Sequence, residues 1–327
     1  MSIAPPLHDR SLLAETRPFT PENPRRSAWY VVSGVGLLVA STAFAALAPY
    51  LLLRIAASVL SGLLAVRVFI LYHDHLHGSL LAKSWWARAI FRIYGVLILA
   101  PPTVWKQTHD YHHAHTAKIV GSHVGSFAMM TTEMYRASSP RLRLAYRVVR
   151  HPLTIVLGYP AIFFYGMCIA ALRRNPRRHY DAGIAVAVHL ALLVSVTWRF
   201  GATAALVTIV VPLTIACALG SYLFYAQHNF PGMIVQPRVS WSYTRAALES
   251  SSFMELGPVM RWFTGNIGYH HVHHLNAAIP FHRLPEAMRA IPALQHATRT
   301  SLHPRDVVAC LRLKLWDQAR QEMVGYS

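Results

Sequence analysis

The chemistry available to this chain rests on histidine. Twelve of its 20 histidines fall in four places: His73-Asp-His-Leu-His77, His109-Asp-Tyr-His-His-Ala-His115, the single His228, and His270-His-Val-His-His274. An α-helix turns about 100° per residue, so positions i, i+3 and i+4 share a face. On helices, His109, His112 and His113 would share one face, as would His270, His273 and His274, and His73 with His77. His75, His115 and His271 fall off those faces. With His228 the sets hold nine imidazoles. One zinc ion takes about four ligands, so nine suit two metal ions. Imidazole binds Zn, Cu, Fe and Ni, and the ligand type alone does not choose among them.

The elements that must position these sets are read from composition. The 327 residues are 54% hydrophobic and 13% charged, against about 25% charged in soluble domains. The fold class expected is an all-α integral membrane protein. Three scattered cysteines, Cys168, Cys217 and Cys310, show no paired spacing, which argues against a disulfide framework or an iron–sulfur cluster. The formal net charge is +18. No nucleic-acid-binding motif accompanies it, and the basic residues flank apolar runs, so an anionic lipid surface is the expected partner.

Residues 1–28 hold five prolines and Arg10, Arg17, Arg25 and Arg26, and read as a flexible basic cytoplasmic tail without a cleavable leader. Trp29 to Tyr50 carries no charge and is long enough to span a bilayer, which takes about 20 residues. Leu51 to Tyr72 returns, with Arg54 and Arg67 expected to snorkel. Ala182–Trp198 and Ala202–Tyr225 make a second spanning pair, kinked at Pro212. Ala89–Thr103 and Pro152–Leu172 are expected to lie in the interface, because a crossing by either alone would put the histidine sets on opposite sides. This gives two transmembrane hairpins (four spans), interfacial helices and a cytoplasmic helical cap. The domain runs over 29–295, followed by a basic C-terminal tail at 296–327.

The three boxes, His73-Asp-His-Leu-His77, His109-Asp-Tyr-His-His-Ala-His115 and Tyr269-His-His-Val-His-His274, resemble those of the membrane fatty acid desaturases. Glu133-Met-Tyr135 through Arg150-His-Pro152, Gln227-His228, Ala246 to Phe253 and Trp262 to Gly268 resemble the bacterial and plant Δ12/ω6 acyl desaturases. The resemblance covers roughly residues 30–295. It implies a di-iron centre, dioxygen as oxidant, a long acyl chain as substrate and two electrons from a separate carrier, ferredoxin or cytochrome b5. It implies His73, His77, His109, His112, His113, His228, His270, His273 and His274 as iron ligands. Asp74 and Asp110 become candidates to orient ring nitrogens, and Glu249 is a further candidate near the cap. Animal acyl-CoA desaturases place an asparagine four residues before the lone histidine; here that position is Phe224, so the resemblance implies that Asn229 or Asn266 substitutes or that one iron is coordinated differently.

The physical reading agrees with the resemblance. An unactivated methylene has no acidic proton, so a redox metal has to supply oxidising power. A multi-pass protein of the bacterial inner membrane, with both termini and the site cytoplasmic, is expected. His189 at membrane depth reads as a hydrogen-bonding partner between helices, and His123 and His282 as structural. Trp241, Trp262 and Phe263 are candidates to line an acyl tunnel. The rival readings are a sister hydroxylase, acetylenase or epoxygenase on the same scaffold, or a metal transporter, whose ligands would sit near the bilayer midplane.

Overall fold

Long uncharged runs become helices because a backbone in an apolar medium must satisfy its own hydrogen bonds. In the computed structural model, which describes residues 8–119 and 124–326, four helices are long and apolar enough to cross a membrane: Pro24–Leu47, Leu51–His77, Tyr180–Phe200 and Ala202–Ala226. The fold is mainly helical, with five short strands among the described residues. The chain divides into two compact units, one of 22–107 and 153–222, the other of 1–21, 108–152 and 223–327.

The first unit holds the apolar helices. Asn23 caps the helix Pro24–Leu47 by accepting from the Arg26 N–H at 3.1 Å. The chain reverses over Ala48-Pro49-Tyr50, and Arg54 donates to the Ala45 carbonyl at 3.0 Å, closing the end of the preceding helix. Ser61 and Ser41 bond across the hairpin at 2.8 Å. Outward residues such as Leu47 and Trp198, 81% and 86% exposed, present the apolar surface a bilayer would cover. Arg67 differs from expectation. The helix Leu51–His77 runs ten residues beyond it, so it is only 5% exposed and does not snorkel from an end.

The second hairpin turns at Gly201, whose φ of 84° suits glycine. Pro212 acts through its missing N–H: the turn before it, Leu206–Val210, is π-helical. Tyr159–Ala170 is also π-helical, flanked by the α-helical pieces Pro152–Val156 and Ala171–Arg174. His189 bonds Tyr159 Oη at 2.7 Å, the interhelical role expected of it. The helix Trp85–Leu97 ends before Leu99, whose φ is 61°, and the chain bends by 91° into Pro102–His115. Asp181 fixes that helix start, accepting from the Thr103 N–H at 2.9 Å and from its hydroxyl at 2.5 Å.

The second unit packs short elements. Leu12 and Phe19 join Val272, Leu275, Ile279, Leu284 and Leu294 in one apolar core. Residues 8–28 are therefore not a loose tail where described: His8–Thr16 is helical, and residues 1–7 lie outside the described residues. The C-terminal residues likewise differ from a tail. Arg299–Ser301 pairs in parallel with Phe253–Glu255, and Leu315–Asp317 lies between Met130–Thr131 and Glu322–Val324. Trp316 is 1% exposed. Sparse apolar residues suffice here because each fills a partner surface already present.

A glycine sets the approach of two apolar helices. A Cβ at Gly62 would lie 2.7 Å from Ile215 Cβ and 3.0 Å from the Pro212 carbonyl oxygen. Gly62→Leu should destabilise the unit by about 1–3 kcal/mol, seen as a lower thermal midpoint in detergent. An unchanged midpoint would contradict this contact.

Candidate metal centre

The helix Pro102–His115 and the short helix His270–Leu275 carry two of the histidine sets. Both turn their i, i+3, i+4 imidazoles to one side, as the spacing requires. Gly268 permits the approach to the second helix: its carbonyl accepts from the Met254 N–H at 2.8 Å, and a Cβ there would sit 2.3 Å from the Met254 oxygen.

Four imidazoles, His112, His228, His270 and His274, bring ligand nitrogens within 4.8 Å of one another. His228 Nε2 lies 3.0 Å from His112 Nε2 and 2.9 Å from His270 Nε2. His228 Nδ1 is 2.9 Å from the Ser250 carbonyl, which can only accept, so Nδ1 carries the hydrogen and Nε2 a lone pair. One lone pair cannot serve two neighbours well. His274 Nε2 is buried with no hydrogen-bond partner among the described residues. A cation answers both. Nitrogens about 2.1 Å from a shared ion and about 90° apart would lie roughly 3.0 Å from each other. The cluster fits a metal ion.

A second group lies beside it in the same unit. His113 Nε2 is 3.2 Å from His109 Nε2 and 3.1 Å from His273 Nε2. In the membrane unit, the His73 and His77 rings lie 4.6 Å apart, and His73 Nδ1 is 3.1 Å from Asp74 Oδ1. Asp74 is thus placed to orient a ring nitrogen.

Burial keeps His228 and His274 neutral, as a metal-binding imidazole must be. It pushes His228 down to about 4, the Ser250 carbonyl only partly opposing, and it holds His274 well below the ordinary value near 6.5, with the neighbouring imidazoles adding to the effect. The Tyr243 hydroxyl fixes the His274 backbone by donating to its carbonyl at 2.6 Å.

The off-face histidines have other partners. His75 Nδ1 is 2.9 Å from the Leu80 carbonyl, His115 stacks on Tyr111 at 3.9 Å, and His271 Nε2 meets the Leu294 carbonyl at 3.0 Å. His123 lies outside the described residues. Three auxiliary candidates, Glu249, Asn266 and Asn229, have hydrogen-bond partners other than the clustered imidazoles. Glu249 pairs with Arg245 at 2.9 Å in solvent, and Asp110 is exposed. Asn266 donates to the Phe281 carbonyl at 3.1 Å. Asn229 donates to the Cys310 and Leu313 carbonyls at 2.7 and 3.1 Å and accepts from Arg150, so its side chain is already occupied.

Phe224 packs on His112, ring to ring at 4.8 Å. A cavity of about 20 Å³ lies beside His112 and His228, lined also by Phe127, Met129, Phe224 and Met233. Sequence reasoning did not assign these residues to the site, although Phe224 stands one helical turn before His228. The expected tunnel aromatics do not line this cavity. Trp241 instead donates to the Thr116 carbonyl at 2.8 Å, and Trp262 packs on Phe263 at 5.0 Å.

A helical protein with apolar spans and buried imidazole clusters has the form of a membrane protein able to hold metal ions. A family model for fatty acid desaturases matches residues 47–305. The chain is 31% identical over 279 residues to a Bacillus subtilis (strain 168) protein named fatty acid desaturase, covering 84% of this chain and 78% of that one. It is 24% identical over 231 residues to the sn-1 oleoyl-lipid 12-desaturase of Synechocystis sp., covering 68% and 64%, and 24% identical over 254 residues to the Delta(12)-fatty-acid desaturase of Arabidopsis thaliana, covering 70% and 63%. The chain belongs to the fatty acid desaturase family and is an oxidoreductase.

The neutral imidazoles make a pH prediction. In metal-free protein, His228 and His271, held near 4 by burial, stay neutral while the unfolded chain gains protons below about 6.5. The unfolded state then binds more protons, so stability is full above that value and falls as pH drops from about 6.5 toward 4. Thermal midpoints of the metal-free protein between pH 7.5 and 5 should fall steadily; a rise would contradict the burial.

Proposed function

We propose that this chain is an O2-dependent fatty acyl desaturase that introduces a cis double bond into a long acyl chain, of the Δ12/ω6 type, on a lipid-linked substrate. The observation that carries it is the convergence of buried imidazoles in a desaturase-family chain. The Synechocystis and Arabidopsis relatives, named as 12-desaturases, support the position of the bond.

In this reading all nine histidines ligate two iron ions. His112, His228, His270 and His274 hold one. His109, His113 and His273 bind the other, with His73 and His77 assigned to it on the box pattern alone. Asp74 orients His73, and the Ser250 carbonyl orients His228. Bound iron would supply the redox chemistry that an unactivated methylene requires. The net reaction takes a –CH2–CH2– unit, one O2, two electrons and two protons to –CH=CH– and two waters. The electrons come from a separate carrier, a ferredoxin or cytochrome b5. Phe224 and the apolar lining keep water from the oxidising site. In this reading the exposed Arg173, Arg174, Arg177 and Arg178 support a cytoplasmic face by the positive-inside rule. The site and both termini are assigned to the cytoplasmic side of a bacterial inner membrane on the premise that all three histidine boxes share one side.

The test is gas chromatography–mass spectrometry of fatty acids from a host rich in monounsaturated chains. Expression should yield a diunsaturated product, and His273→Ala should abolish it while leaving membrane insertion intact. An oxygenated product would move the chain to the sister hydroxylases or epoxygenases, and an identical product profile in His273→Ala would contradict the ligand assignment.

A further inference from the structure

Two buried cations lie without a carboxylate: Arg150 lines a cavity with His112 and His228, and Lys314 sits against Arg150. Arg150 and Lys314 are 1% and 7% exposed, and neither forms an ion pair among the described residues. Arg150 Nη1 donates to the Ala128 carbonyl at 2.8 Å. Its Nη2 donates to Asn229 Oδ1, to Tyr225 Oη at 3.3 Å and, at the limit, to the Leu313 carbonyl at 3.5 Å. Nε has no partner among the described residues. Lys314 Nζ donates to the Arg150 carbonyl at 2.6 Å and to Tyr225 Oη at 3.5 Å. Both cations lie near the Tyr225 ring, at 5.1 and 5.6 Å from its centroid. Every one of these partners is neutral.

Burying one charge is costly unless it is paired, and like charges side by side add repulsion. The arrangement is nevertheless held firmly. The Tyr146 hydroxyl donates to the Lys314 carbonyl at 2.5 Å and accepts from the Met130 N–H at 3.1 Å. Asn229 ties the Arg150 guanidinium to the carbonyls of Cys310 and Leu313. The position explains the cost. Asn229 directly follows His228, and Arg150, Tyr225 and Asn229 line the same cavity as His112 and His228. In a region of low dielectric, a fixed charge acts strongly on a neighbouring centre.

We infer that Arg150 and Lys314 are positioning residues of a second kind: their uncompensated charge raises the reduction potential of the metal held by His112, His228, His270 and His274. The inference rests on the metal reading given above. The physical sense is fixed. Neutral imidazoles contribute no negative charge, so an added electron at the metal lowers the local excess of positive charge. A nearby cation therefore favours the reduced state, charge and burial being recognised means of tuning metal potentials. Lys314 stands immediately before the strand Leu315–Asp317, and Arg150 follows the helix Pro140–Val149, so two segments outside the histidine boxes set the property.

The experiment is a redox titration of the purified, iron-loaded full-length protein, followed optically and by electron paramagnetic resonance, with iron counted in parallel. At the wild-type midpoint, Lys314→Gln and Arg150→Gln should lower the ratio of reduced to oxidised centre at least threefold, with iron content unchanged. Arg150→Lys, which keeps the charge, should stay within twofold of wild type. A ratio unchanged in Lys314→Gln overturns the inference, and that variant alone decides if Arg150→Gln loses iron through misfolding. A ratio that falls in Arg150→Lys as far as in Arg150→Gln also overturns it, because geometry rather than charge would then be responsible. A wild-type chain that takes up no iron removes the metal reading itself, and this inference with it.

Discussion

The structure depends on keeping several imidazoles neutral, close together and away from water. Four converge with ligand nitrogens within 4.8 Å of one another, and the two pairs around His228 close to 2.9 and 3.0 Å. Without a cation such a cluster is poor chemistry, since lone pairs meet lone pairs and burial prevents protonation. Much of the surrounding fold serves this arrangement. Ser250 fixes the tautomer of His228, Tyr243 anchors the His274 backbone, and Asp181 holds the start of the helix that bears His109, His112 and His113.

Scaffold and site divide the work in physical terms. The apolar hairpins satisfy their backbones internally and are held by close helix contacts and a few interhelical hydrogen bonds, such as Tyr94 to the Ala65 carbonyl at 2.5 Å. The polar unit packs short helices and strands whose backbone carbonyls become the orienting groups. Loss of a ligand should therefore damage the metal chemistry more than the spans. The cationic pair of Arg150 and Lys314 belongs to the same economy, in which a costly buried group is retained beside the centre it can influence.

The sequence made the histidine faces legible because helical spacing alone dictates them. It also made the four spans legible, since length and lack of charge suffice. The helix His8–Thr16 and the C-terminal strands were not legible. Leu12, Phe19, Leu315 and Trp316 are ordinary isolated hydrophobes until their partners are known. The burial of Arg67 was not legible, because the apolar run ends at Tyr72 while the helix continues to His77. Asn229, Asn266 and Glu249 lie near the histidine sets in sequence, but proximity says nothing of where a side chain finds its hydrogen bonds.

Counting metal tests the central claim most directly. Full-length protein purified after expression with added iron should contain two iron ions per chain by elemental analysis, coupled to each other by Mössbauer spectroscopy. Replacing His270 with alanine should remove at least one of them. One ion per chain, a predominance of zinc in iron-replete cells, or two irons retained in the His270 variant would contradict the account.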